Sequence, residues 1–409
     1  MLLKEACLAL LASTLVTAYP TYDKVPAKTY AKCQKVSKKH PLDGCPENTI
    51  YVSQDDTSAS FDTIQGAIGS LPNNTESYTI LIAPGNYTEQ LNVTRQGPLT
   101  LLGVSDRPWK GKVYSDIDHN TSHSNKVIVW WSSANHDSSG KITDNALTSV
   151  LTVAPTWESS KSGYGPTGWP VPDGTPFGCE DFRAYNIDFR NNAAEYSDGP
   201  AHAAGISRAN AGFYSCGLYS YQDTLYIGKL GSAYFYDSII AGQTDFLYGY
   251  GTLWIEKSTL TLRSCGGGIT AWKGTNTTLE NKYGAYISKS QILAANTTIA
   301  EEIKGTCPLG RPWNELHRSI FMRTYFDASI LPAGYVDWNG GRFNNQTFMA
   351  TYKDFGPGYD LEAEEASNRT IVLDKKSVSP YDAPADVFAD EDGEFGNVGW
   401  IDQSVLSKQ

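Results

Sequence analysis

An interval of 22 residues recurs in the middle of this 409-residue chain. The aromatic pair Phe213-Tyr214 returns as Phe235-Tyr236. Asp223, in Gln222-Asp223-Thr224-Leu225-Tyr226, returns as Asp245 in Thr244-Asp245-Phe246-Leu247-Tyr248. A period of this length is the mark of a solenoid, in which each coil rests on the one before it. If the coils are strands stacked in parallel, equivalent residues lie about 4.8 Å apart. The spacing therefore predicts two carboxylates side by side on one face. Neighbouring acids do not ionise together easily, so one of them is expected to hold its proton. Such an acid–base pair is the main reason to read the chain as an enzyme.

Short β-branched and aromatic runs, broken by Gly, Asn and Asp, support the solenoid. They fall at residues 79–82, 99–102, 127–131, 149–153, 182–189, 212–219, 233–240, 252–262 and 285–293. Asp237-Ser238-Ile239 overlays Lys257-Ser258-Thr259 at an offset of 20, and Lys289-Ser290-Gln291 follows after 32. Unequal offsets suit an all-β fold, a right-handed parallel β-helix with loops of unequal length. An antiparallel sandwich would need frequent two-residue hairpin turns, and few are present. Helical periodicity is rare. Residues 60–70, with Phe61, Ile64, Ala67 and Ile68 on one face, are the best candidate for a short amphipathic helix.

Residues 1–18 read as a secretory leader, with Lys4 as the positive end, an apolar run over 6–16 and Val16-Thr17-Ala18 as the cleavage site. That run is too short to span a bilayer. No later stretch is long and apolar enough to do so, and a soluble, secreted, extracellular protein is expected. Eight Asn-x-Ser/Thr sequons, at Asn73, Asn86, Asn92, Asn120, Asn276, Asn296, Asn345 and Asn368, point to a glycoprotein with acceptors on surface loops. Beyond Cys7 of the leader stand six cysteines, of which Cys33 with Cys45 is the expected disulfide because it closes a short loop. The net charge of −11 argues against a nucleic-acid partner and against a tight, nonspecific hold on a strongly acidic polymer. A partly neutralised acidic polymer is still allowed. The expected organisation is a lead-in or cap over 19–48, a β-helix over 49–353 and a C-terminal extension over 354–409. The extension is rich in Asp, Glu and Pro and too poor in apolar residues for a core of its own. A monomer is expected, with no membrane partner.

Several residues near the aspartates carry chemistry. Gln222 offers a neutral amide donor. Arg311, in Leu309-Gly310-Arg311-Pro312-Trp313, would keep one carboxylate ionised while the other stays protonated. Trp313 would stack on a sugar ring. Tyr226, Phe246 and Trp272 are further candidates to line a cleft, with core packing the rival reading for Phe246. No Gly-x-Ser-x-Gly is present, which speaks against a serine esterase. His119 and His123 are four apart, but they sit in a polar segment without a third ligand and read as loop residues.

These motifs together resemble the pectin methylesterases of carbohydrate esterase family 8. The resemblance rests on Gly85-Asn86-Tyr87-Thr88-Glu89, on Gln-Asp-Thr-Leu at 222–225, on Gly-x-x-Asp-Phe-x-x-Gly at 242–249 and on Leu309 to Trp313, all in family order. A weaker likeness lies at Asn345-Gln346-Thr347-Phe348 and Gly356-Pro357-Gly358. The resemblance implies a single-stranded, pectin-lyase-like β-helix that hydrolyses the C6 methyl esters of homogalacturonan in pectin, with no metal or organic cofactor. It implies Asp245 as nucleophile, Asp223 as general acid and then base, Gln222 as oxyanion donor, Arg311 as the partner of the nucleophile and Trp313 as a substrate-binding aromatic. Two departures stand out. Where the family usually has a second glutamine donor, this chain has His202-Ala203-Ala204-Gly205-Ile206, with the next motif two residues early. His202 is either a replacement donor or an ordinary loop histidine. Tyr248 stands where the family commonly has Phe, and both residues are expected to face substrate. The alternatives to an esterase are a galacturonan hydrolase or lyase on the same fold, or a weakly active carbohydrate-binding wall protein.

Overall fold

Strand pairing explains the repeat. The structure is a computed structural model and describes residues 25, 27–37, 40–108, 124–136, 142–163, 167–274 and 282–406. The expected leader, sequons Asn120 and Asn276, and His119 with His123 lie outside these residues. Among the described residues the strands form three parallel sheets of eleven, eight and six strands, visited in turn as the chain winds. The six coils between Tyr78 and Trp272 each lay one strand on every sheet, the coils before and after contribute to fewer, and the whole is a right-handed parallel β-helix. Phe213 pairs with Phe235 and Tyr214 with Tyr236. Ile239 pairs with Thr259, and Thr259 with Gln291, so the offsets of 22, 20 and 32 are all single coils.

The inward face is apolar and stacks like on like. The rings of Phe213 and Phe235 are nearly parallel, with centroids 4.5 Å apart. Serines form a second ladder at one corner. Cys216 N donates to Ser238 Oγ at 3.1 Å, Ser238 N to Ser258 Oγ at 3.0 Å and Ser258 N to Ser290 Oγ at 3.2 Å. This ladder satisfies backbone donors that leave the sheet at the bend.

Several runs that look like single strands are two strands around a corner. The run 182–189 splits into Phe182–Tyr185 and Ile187–Asn191, and 233–240 splits into Ser232–Tyr236 and Ile239–Thr244. The breaks fall at Asn186, Ser215, Asp237, Lys257 and Lys289, all with φ near +50°. One left-handed residue turns the chain between sheets while leaving the hydrophobic run unbroken, so composition alone does not reveal the corner. The helix expected over 60–70 is shorter, Ile64–Ser70. Phe61 instead bridges to Val52, and Glu89 caps the helix, its two oxygens accepting from Ile64 N at 2.9 Å and Gln65 N at 2.7 Å.

The outer face of the eleven-stranded sheet is also buried. Tyr185, Tyr214, Tyr234, Trp254 and Tyr286 pack beneath Tyr30 of the helix Ala27–Cys33 and beneath Phe388, Trp400, Ile401 and Val405 of the tail. Tyr185 donates to Asp402 Oδ2 at 2.9 Å, and Asp402 N donates to the Tyr214 hydroxyl at 2.7 Å. The tail also adds a strand, Ile371–Val372, paired to Phe348–Tyr352. Cys33 and Cys45 are bonded as expected. Cys265 and Cys307 form a second disulfide, and Cys179 and Cys216 are free and buried.

Candidate active site

The two aspartates occupy one column of the helix. Leu225 pairs with Leu247, Gln222 bridges to Thr244, and Thr244 pairs with Gly266. Counting along this register, Asp223, Asp245 and Gly267 stand one above another. All three take left-handed backbone, at φ +57°, +48° and +76°. That conformation costs a non-glycine residue roughly 1–3 kcal/mol, held here by Asp223 N on Thr244 O at 3.1 Å and Asp245 N on Gly268 O at 2.7 Å. The corner aims both carboxyls away from the core on the same edge.

Gly267 leaves the third place in the column empty, and Arg311 fills it. A Cβ on Gly267 would lie 2.5 Å from the guanidinium carbon. From there Arg311 Nε donates to Asp245 Oδ1 at 2.9 Å and Nη2 to Oδ2 at 2.6 Å. This two-pronged contact opposes burial, yet burial wins, and the Asp245 carboxyl is pushed up to about 6. Asp223 is raised well above the usual carboxylate range, first by burial and then by the charge of Asp245. The column therefore pairs an acid held toward ionisation by a guanidinium with one biased toward keeping its proton.

Gln222 is half-buried beside them. Its Oε1 accepts from Ser197 Oγ at 3.0 Å, which turns the amide NH2 away from Ser197. Trp313 is partly exposed and stacks on Tyr248, with centroids 5.4 Å apart. The site also contains groups that motif reading missed. Lys273 is buried, donates to the Tyr250 hydroxyl at 3.0 Å and lies 3.6 Å above the Trp313 ring. Its ammonium is pulled down to about 7, chiefly by burial, against an opposing pull from Asp223. Trp338 carries Arg311 at 3.8 Å and Arg342 at 4.3 Å, and Arg342 donates to Trp313 O at 2.7 Å. A lysine directly after the strand Thr270–Trp272 was the available signal for Lys273. Nothing local marks Trp338 or Arg342.

Four expectations are corrected. Phe246 does not face the cleft. It is fully buried in the inward core, because the residue after the left-handed corner points inward. Trp272 is likewise inside, donating to Gly251 O at 3.1 Å. His202 does lie in the register of Asp223, one coil earlier, but its ring is buried. Its Nδ1 pairs with Ser149 Oγ at 3.0 Å and its Nε2 with the Tyr248 hydroxyl at 2.5 Å, so it does not reach substrate. Tyr226 is 2% exposed and stacks between His202 and Tyr248, with its hydroxyl on Lys161 O at 3.3 Å. It supports the site from beneath. Tyr248 is buried still more deeply, at 1%, and meets Trp313 from below.

Comparison with known proteins points to one family. The family model for pectinesterase fits residues 176–382, just over half of the chain. The probable pectinesterase A of Aspergillus niger is 26% identical over 350 residues, covering 85% of this chain and 90% of that one. Pectinesterase 31 of Arabidopsis thaliana is 28% identical over 318 residues, covering 76% and 83%. Some plant relatives are longer, and the chain covers 46% of the probable pectinesterase/pectinesterase inhibitor 58 of Arabidopsis thaliana. Among solved structures, the pectin methylesterase from carrot aligns with a TM-score of 0.62 at 20% identity, over 87% of this chain and 95% of that one. At that identity the likeness speaks for the shared fold.

Proposed function

Since the chain belongs to the pectinesterase family of carboxylic ester hydrolases, we propose that it is a secreted pectin methylesterase with Asp245 as nucleophile and Asp223 as general acid and base. One observation carries the assignment of roles. Arg311 grips both oxygens of Asp245, while Asp223, stacked beside it, has no such partner among the described residues and is raised well above the usual range.

In this reading the ionised Asp245 attacks the C6 carbonyl of a methylated galacturonate. Negative charge builds on the carbonyl oxygen, where the Gln222 amide donates. The tetrahedral intermediate collapses, the C6–methoxy bond breaks and Asp223 gives its proton to the departing methanol. A water molecule then attacks the acyl-enzyme, Asp223 takes a proton from it, and Asp245 leaves as a carboxylate. Atoms and protons balance with side chains alone. Trp313 and Trp338 supply flat faces for sugar rings, held rigid by the cations against them.

Export is supported by the two disulfides, which suit an oxidising compartment. It is also supported by exposure of all six described sequon asparagines.

The test is incubation of the purified protein with highly methylated pectin, following methanol, chain length and the absorbance of unsaturated ends. Methanol without chain cutting is expected. Shortened chains or unsaturated ends would indicate a hydrolase or lyase instead. Asp245→Asn is expected to abolish methanol release while the protein stays folded, and near-normal turnover in that variant would refute the nucleophile.

A further inference from the structure

The buried His202, Tyr248 and Ser149 and the partly buried Asn145 form a polar chain in the register of Asp223, and its hydrogen-bond directions can be worked out. Burial pulls His202 down to about 3, so the imidazole is neutral, with one nitrogen donating and the other accepting. Two arrangements satisfy its contacts. In one, Nδ1–H donates to Ser149 Oγ and the Tyr248 O–H donates to Nε2. The buried Ser149 hydroxyl then needs an acceptor of its own, and among the described residues its one side-chain contact is with His202. In the other, Ser149 O–H donates to Nδ1 and Nε2–H donates to the Tyr248 oxygen.

The Ser149 hydroxyl favours the second arrangement, where alone it finds an acceptor; both arrangements admit a contact from Asn145. Asn145 Oδ1 accepts from Asn135 Nδ2 at 2.6 Å, which turns its own NH2 toward the Tyr248 oxygen at 3.5 Å. The phenol oxygen then accepts from both His202 and Asn145, and its own hydrogen is left to donate elsewhere. The hydroxyl lies against the His202 ring, which occupies the register of Asp223 one coil earlier.

From this geometry we infer that Tyr248 is a second donor to the ester carbonyl oxygen as it becomes an oxyanion, with His202 as the residue that positions it. The inference rests on the esterase reading above. His202 occupies the register of Asp223 one coil away, but donates through Tyr248 rather than directly. The two departures from the family pattern, His for Gln and Tyr for Phe, thus form one unit. The phenol reaches from the coil of Asp245 back to the place where an amide would otherwise project.

The test uses the full-length protein with methylated pectin. If the wild type released no methanol, the esterase reading would fail irrespective of Tyr248. Given an active wild type, Tyr248→Phe is expected to lower kcat about 100-fold, with KM changed little, since only transition-state binding is removed. His202→Gln/Tyr248→Phe restores the family pair and is expected to regain at least about tenfold in kcat over Tyr248→Phe. His202→Leu/Tyr248→Phe, which offers no donor, is expected to stay as low as the single variant. Comparison of the two double variants carries the test even where Tyr248→Phe melts early. Wild-type kcat in Tyr248→Phe would overturn the inference, as would equal activity of the two double variants.

Discussion

Arg311→Leu tests the electrostatics of the nucleophile most directly. The guanidinium meets Asp245 through two bonds, at 2.9 and 2.6 Å, on a carboxyl whose side chain is 5% exposed. Opposite charges centred about 4 Å apart attract by roughly 4 kcal/mol at an effective dielectric of 20. At about 1.4 kcal/mol per unit, losing that attraction raises the Asp245 pKa by roughly three units. From a starting value of about 6, the ionised fraction at pH 7 is close to nine-tenths. After the shift it is roughly one-hundredth, and the rate at pH 7 falls about 100-fold. The acid limb of the pH–rate profile moves alkaline by the same three or so units. Asp223 is raised as well, so the two limbs close on one another and the maximal rate falls. Initial rates of methanol release between pH 4 and 10 read the profile directly. Arg311→Lys keeps a charge but loses the fork, and its limb should lie between the two. A limb that stays near 6 in Arg311→Leu, with kcat within about twofold of wild type, would show that Arg311 does not hold the nucleophile ionised.

Three further outcomes are expected. Lys273→Met removes an ammonium that itself titrates near 7 beside Asp223, so the inflection it puts on the pH–rate profile near neutrality should disappear; a profile unchanged around pH 7 refutes the coupling. Asp223→Asn should stabilise the fold. The folded-state pKa of Asp223 lies above its unfolded value, so its contribution is fully present below pH 4 and lost as pH rises toward the folded value. Melting temperatures at pH 4 and pH 8 should therefore show a gain for the variant at pH 8 that vanishes at pH 4. Trp400→Ala empties a buried site where the tail meets Phe388, and urea unfolding should register a loss of about 3–5 kcal/mol.

The cation cluster bears on how an acidic protein engages an acidic polymer. Lys273, Arg311 and Arg342 gather around two acids, of which Asp223 is biased toward its neutral form, so the site is far less acidic than a chain of net charge −11 suggests. Total charge did not anticipate this, because charge sums over the whole surface whereas a substrate meets only one edge.

How much was legible in the sequence follows from the range of each interaction. A parallel coil imposes a period along the chain, so Phe213 on Phe235 and Asp223 beside Asp245 were readable as spacings. Arg311 was readable because it sits in a short motif with Trp313. Corners were not, since a single left-handed residue such as Asp237 reverses no hydrophobic pattern. Nor was the direction of Phe246, which differs from that of Asp245 only through the corner between them.

By itself, then, the sequence determined the solenoid, the aspartate column and the identity of the ion that opposes one of its members. Each is a matter of repeat length or of neighbours in the chain. Only the tertiary structure decided which acid stays charged, because that depends on Gly267 vacating its place for a guanidinium 44 residues further on. It also decided what His202 does. A ring nitrogen acts through whichever partner the fold brings within hydrogen-bond reach, and here that partner is a phenol two coils away.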